Sequence, residues 1–210
     1  LNPNAFFRKP LTIEEVMSSK MLSTPLRAKQ SNMLFDGGGA FVLTSAERAK
    51  DLPNKPVYIL GESGLVTHFV YSQEPDLTRF GWAQAGREAF AQAGLTPEDI
   101  DVAEIYDSYP IYQLLTFEEL GFCERGEAGD MFLRGDTWPG GKIPMTTDGG
   151  MLGKGHIGAG GSVSLLLEAA RQLMGKAGER QVPDAKFAIE TATGGTYFDS
   201  QVTILGTEIP

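Results

Sequence analysis

A chain of 210 residues with 41% hydrophobic and 21% charged residues has the composition of an ordinary globular protein, long enough for one full core and part of a second domain. Its net charge of -9 argues against a general nucleic-acid-binding surface, and no run of about 18 apolar residues marks a membrane span. A single cysteine excludes an internal disulfide and fits a reducing compartment, so a cytoplasmic location is expected.

The chain opens on Leu1 rather than Met, and it reads as a piece of a longer product. Residues 1–34 form an irregular arm interrupted by Pro3, Pro10 and Pro25. Within it, Thr12 and Glu15 have the spacing of a capping box for a short helix ending near Met21. Ala40 to Thr44 is an apolar run of strand length after Asp36-Gly37-Gly38-Gly39, and Ser45 caps a helical turn. The proline-bearing stretch Asp51 to Pro56 predicts a linker, with a boundary at 54: residues 1–54 as one unit and 55–210 as another.

Val57 to Leu60 starts a second strand system, and a helix is expected over 79–93, capped by Thr78 and stopped by Gly94. Asp99 to Ile105 reads as a strand, and a helix follows over 111–120, closed by Gly121. Residues 122–150 show no sustained periodicity, and a long loop in a compact domain is often functional. From Ser162 a helix is expected with Val163, Leu166, Leu167, Ala170 and Met174 on one face. Two strands, 186–190 and 201–205, flank Thr193-Gly194-Gly195-Thr196. Helices alternating with strands, then a final strand pair, predict an α/β domain with a mixed sheet.

The stretch Gly150 to Gly161 sets one of only two histidines, His156, in a bed of glycines directly before that last helix. Glycine lets backbone approach a ligand closely, and a helix start offers unpaired N–H groups. An imidazole there can exchange protons or polarise a carbonyl near neutral pH. A glycine-rich turn that merely carries a histidine is the alternative.

Several stretches, in order, resemble the C-terminal half of the thiolases. Asn2 to Thr12 resembles the approach to the last elements of their N-terminal half, and Asp36 to Leu43 resembles their Asp-Gly-Ala-Ala strand. Gly155-His156-Ile157-Gly158-Ala159-Gly160-Gly161 resembles the Gly-His-Pro-x-Gly-x-Ser/Gly-Gly signature. Gly121 to Gly129 is similar to the sterol-carrier-protein-type thiolases and the related lipid-transfer-protein aldolases. The resemblance implies the C-terminal αβα half of a thiolase-like fold, with a remnant of the N-terminal half. The nucleophilic cysteine of the family belongs to the N-terminal half and has no counterpart in this chain.

The resemblance also implies roles. His156 matches the histidine that activates the nucleophile and holds a thioester oxygen. Tyr106-Asp107-Ser108-Tyr109 occupies the slot of the Asn-Glu-Ala-Phe or His-Asp-Cys-Phe motif, which makes Tyr106 a catalytic candidate; a phenol can donate a hydrogen bond or act as general acid or base. Ser108 stands where the sterol-carrier type has its second cysteine, and Ser108 and Gly158 are expected against substrate. Gly194 and Gly195 can supply a backbone N–H to an oxyanion. Cys123 reads as structural, His68 as a surface or structural residue, and Trp138, Tyr197 and Phe198 as candidates for an acyl pocket.

The implied activity is acyl transfer or carbon–carbon cleavage on acyl-CoA thioesters, with CoA as substrate or product, no further cofactor and no metal. Two alternatives stand beside it: retro-aldol cleavage of a β-hydroxyacyl-CoA with a zinc-ribbon/OB-fold partner protein, and a non-catalytic scaffold that binds a CoA ester. A homo-oligomer is expected by the same resemblance.

Overall fold

A computed structural model describes residues 2–195 and 197–210. The elements, in chain order, are α1 (Ile13–Met17), β1 (Met21–Ser23), β2 (Leu26–Arg27), α2 (Ala46–Ala49), β3 (Tyr58–Val66), α3 (Trp82–Ala93), β4 (Val102–Glu104), α4 (Pro110–Glu119), α5 (Ala128–Leu133), α6 (Gly150–Gly153), α7 (Gly161–Leu173), β5 (Phe187–Gly194) and β6 (Asp199–Gly206).

Four strands form one mixed sheet in the order β3-β6-β5-β4. β6 runs antiparallel to both β3 and β5, and β4 runs parallel to β5. The pleat sends alternate residues to opposite faces. Ala103, Ile189, Val202 and Ile204 pack against Trp82, Ala85, Ala89 and Phe90 of α3, while Val102, Ala188 and Leu205 pack against Ala169 and Leu173 of α7. The α/β class with a mixed sheet is therefore as expected, with helices on both faces.

The capping box of α1 forms as its spacing predicts: the Thr12 N–H donates to Glu15 (2.8 Å) and the Glu15 N–H to Thr12 Oγ1 (3.1 Å). The helix stops at Met17, four residues short of the expected end. α3 ends at Gly94 in the left-handed conformation, but it begins at Trp82 rather than Arg79. Thr78 is engaged elsewhere, its hydroxyl donating to Asp76 (2.6 Å). The first turn of α3 is capped from a distance, by the Glu119 carboxylate of α4 accepting from the Ala83 N–H (3.1 Å).

The buried stripe of α7 corrects the sequence expectation. Ser164, Leu165, Glu168, Ala169, Gln172 and Leu173 are buried, whereas Val163, Leu166, Leu167, Ala170 and Met174 are only partly covered. Glu168 and Gln172 tolerate the interior because they are paired. Arg180 donates twice to Glu168 (both 3.0 Å), and the Gln172 amide donates to the Arg180 carbonyl (2.9 Å). The opposite flank of α7 packs on the arm, where a side chain at Gly39 would overlap Leu167 and Val163.

Two further expectations change. Ala40 to Thr44 forms no strand among the described residues, and Val42 is 88% exposed. A strand needs a neighbour to pair with, and this run has none in the chain as described. The stretch 122–150 is not wholly irregular: it contains α5, which buries Ala128 and Met131, and Met145 forms an isolated bridge to Ala103. The boundary placed at 54 precedes β3, where the sheet begins. No helix of the described residues is long and apolar enough to cross a membrane.

Candidate active site

Residues at the C-terminal ends of the parallel strands β4 and β5 and the glycine-rich turn before α7 come together. A cleft of about 490 Å³ opens there, lined by Tyr106, His156, Gly158, Ser162, Tyr197 and the segment Ala192 to Gly195. Of the residues singled out in the sequence, Tyr106, His156, Gly158, Gly194 and Gly195 thus meet in one place. Thr196, named with that last turn, lies outside the described residues.

His156 is buried, and its backbone is pinned by the arm. Its N–H donates to the Met33 carbonyl (2.9 Å), and its carbonyl accepts from the Phe35 N–H (2.8 Å). The imidazole has a partner at each nitrogen. Nδ1 lies 2.9 Å from the Gly158 N–H, which donates to it; Nε2 lies 2.9 Å from the Tyr106 hydroxyl. A neutral imidazole carries one N–H and one lone pair, so a lone pair at Nδ1 puts the proton on Nε2. His156 therefore donates to the Tyr106 oxygen. Burial holds its pKa below 6.5, so it is neutral at pH 7. A second proton on Nδ1 would point at the Gly158 N–H.

Tyr106 follows β4 directly, and its backbone N–H donates to Thr191 Oγ1 of β5 (3.0 Å), which fixes it to the sheet. Burial raises its phenol above 10.0, partly offset by the Ser108 hydroxyl. Asp107 points the other way. Its buried carboxylate accepts from the N–H groups of Met151 (2.7 Å) and Leu152 (3.0 Å), tying α6 to the Tyr106 segment. Desolvation raises Asp107 to about 7 against those two bonds. A side chain at Gly150 would overlap that carboxylate.

Ser108 is buried at 5% exposure, behind the cleft wall rather than in its lining, and its Oγ is hydrogen-bonded to the Tyr197 hydroxyl. Tyr197 does line the cleft; Phe198 and Trp138 do not. Trp138 is 62% exposed. Cys123, the one thiol, packs beside the α3-side core, and burial raises it to about 11. His68 is buried among Tyr71, Phe80 and Phe198, and so is a structural residue rather than a surface one. Among the described residues no cluster of three or more His, Cys, Asp or Glu is placed to hold a metal.

Sequence reasoning missed the arm's grip on His156 through Met33 and Phe35. No residue type there signals it, because backbone groups make both bonds. A larger cleft of about 750 Å³ lies beside the arm and the end of α7, lined by Arg8, Lys154, Arg171, Lys176 and Arg180. Lys154 is paired with Asp148, and Arg171 and Arg180 with Glu168, so at most two of its five cations are free of a close carboxylate among the described residues. It holds none of the residues of the His156 cleft, which is the candidate site.

Residues 63–207 match the family model described as thiolase C-terminal domain-like, and the chain belongs to that thiolase family. It is 38% identical over 197 residues to an acetyl-CoA acetyltransferase of Methanothermobacter thermautotrophicus, covering 93% of this chain and 51% of that protein. It is 36% identical over 211 residues to the 17-hydroxy-3-oxo-4-pregnene-20-carboxyl-CoA lyase of Mycobacterium tuberculosis, covering 98% of this chain and 53% of that protein. Among solved structures, an Ltp2-ChsH2(DUF35) aldolase superposes with a TM-score of 0.89 at 34% identity, covering 98% of this chain and 54% of that one. The chain spans about half the length of the curated relatives it matches.

Proposed function

We propose that this chain is the C-terminal part of an enzyme acting on acyl-CoA thioesters, and that its own residues serve retro-aldol cleavage of a β-hydroxyacyl-CoA. The observation that supports this reading most is the Tyr106–His156 pair in a cleft lined without a thiol. In such a cleavage the β-hydroxyl loses its proton, the Cα–Cβ bond breaks, and an aldehyde or ketone leaves. The bonding electrons pass to Cα and the thioester oxygen. Tyr106, as phenolate, takes the hydroxyl proton, and the His156 Nε2–H steadies the charge on that phenolic oxygen. A backbone N–H of the Gly194–Gly195 turn meets the charge at the thioester oxygen. The proton then returns from Tyr106 to Cα, leaving a shortened acyl-CoA. CoA enters only as part of substrate or product.

Thiolase-type acyl transfer is the second reading, supported by the retained Gly155-His156 turn and by the acetyltransferase relative. It requires a nucleophilic cysteine from outside this chain, with His156 holding the thioester oxygen. Two-component assembly is part of the proposal, because the aldolase that superposes is named for two components. The partner would be a zinc-ribbon/OB-fold protein; homo-oligomerisation and a cytoplasmic location are proposed with it.

The test is cleavage of β-hydroxyacyl-CoA and β-ketoacyl-CoA by the intact protein, with and without added CoA. Carbonyl product released without CoA supports the aldolase. Cleavage that needs CoA assigns a thiolase instead. Acyl-CoA binding with no turnover leaves a scaffold and overturns both readings.

A further inference from the structure

The tip of the β5–β6 hairpin delivers a residue that no motif singled out as catalytic. Tyr197 sits there at φ 60°, a conformation a bulky residue adopts only where its surroundings over-determine it. Gly195 also has positive φ, and a side chain on it would overlap Phe198. The Tyr197 N–H donates to the Gly194 carbonyl (3.1 Å). Its ring stacks on Tyr112 at 3.5 Å with an interplanar angle of 13°, and meets Tyr106 edge-on at 6.1 Å. Tyr112 lies in α4 and its hydroxyl is 3.1 Å from that of Tyr71. The hairpin tip is therefore clamped to the segment that carries Tyr106 and Ser108.

We infer that Ser108 and Tyr197 are positioning residues for the Tyr106 phenol. Ser108 Oγ binds the Tyr197 hydroxyl, and the Tyr197 ring meets the Tyr106 ring edge-on, so a chain of contacts runs from His156 Nε2 through Tyr106 to the Ser108–Tyr197 pair. Each end of that chain has a rigid support: the Gly158 N–H fixes the tautomer of His156, and Tyr112 fixes the ring of Tyr197. Since the Tyr106 oxygen already accepts from His156, its own proton is left for substrate. The Tyr197 ring, held by Ser108, sets the direction in which the phenol points. A cysteine or alanine at position 108 would be a weaker partner or none. The serine and the tyrosine thus belong together, which explains a hydroxyl where a thiol would fit.

The inference rests on the proposed role of Tyr106, but its test separates the two. In intact protein labelled at tyrosine Cζ, the Tyr106 resonance is assigned with Tyr106→Phe and followed in Tyr197→Phe and Ser108→Ala. Tyr197→Phe keeps the stacking ring and removes only the hydroxyl. Both variants are expected to shift the Tyr106 resonance, and Ser108→Thr to restore it. Where cleavage is measured, both lower kcat about tenfold, the worth of one hydrogen bond, with KM little changed. They also displace the rising limb of the pH profile upward. An unmoved Tyr106 resonance in both variants overturns the inference, whether or not the wild type cleaves any acyl-CoA. Absence of cleavage with a shifted resonance counts against the reaction and not against the positioning.

Discussion

The Tyr106 hydroxyl and His156 Nε2 lie 2.9 Å apart, and the donor in that bond is the histidine. The direction follows from the far side of the ring, where the Gly158 N–H occupies Nδ1. His156 should therefore be the Nε2–H tautomer across the neutral range. Nitrogen-15 spectra of the labelled imidazole are expected to show a bare Nδ1 and a protonated Nε2 at pH 7. A protonated Nδ1 would reverse the roles assigned to the pair.

Tyr106→Phe keeps the ring and removes the proton acceptor. The loss in kcat/KM is expected to be about 10²–10⁴-fold, the range for a positioned acid–base group. Because burial raises the phenol above 10.0, the reactive phenolate grows as pH rises. The wild-type rate should climb with pH and reach no plateau below pH 10. A bell with its maximum near pH 7 would exclude Tyr106 as the base.

His156→Ala removes the donor that steadies the Tyr106 oxygen, and about 10²–10³-fold of the rate should go with it. Near-normal turnover in that variant would remove His156 from the site.

Gly150→Ala sets a methyl group into the Asp107 carboxylate at a residue with φ 57°. Both the strain and the displaced carboxylate act on α6, which ends at Gly153, three residues before His156. The rate should fall while acyl-CoA binding is less affected. Thermal melting beside a titration with acyl-CoA distinguishes this from unfolding.

Glu190 is buried next to Glu104 in the parallel pair β4–β5, and its Oε1 has no hydrogen-bond partner among the described residues. Desolvation raises it from 4.5 to about 8. Between those values the folded carboxyl holds a proton that the unfolded one has released. The folded state then binds more protons, so this group's contribution to stability is fully present below about pH 4.5 and declines as pH rises to about 8. Glu190→Gln should raise the melting temperature at pH 8 and leave it nearly unchanged at pH 5, at roughly 2–4 °C for each kcal/mol. An equal change at both values would mean that ionisation is not the cause.

Sequence pattern carries much of this fold because local rules suffice for it. Thr12 and Glu15 make their capping box, Gly94 ends α3, and β5 and β6 pair around a glycine turn. The stripe of α7 was not legible, because Glu168 and Gln172 are buried through partners outside the helix, Arg180 and Thr147. For the site, residue type marked Tyr106, His156 and the glycines around them. It could not show that Ser108 is buried against the Tyr197 hydroxyl, since that depends on how the hairpin tip meets α4. Ala40 to Thr44 has the composition of a strand, and composition alone supplies no neighbour to pair with.

The grip of Met33 and Phe35 on the backbone of His156 sets a rule for trimming this polypeptide. A version starting at Asp36 would retain every side chain that lines the cleft, yet its imidazole would have lost both of its main-chain moorings. The arm, without one acid, base or thiol near the reaction, is as indispensable to the histidine as the glycines that announce it.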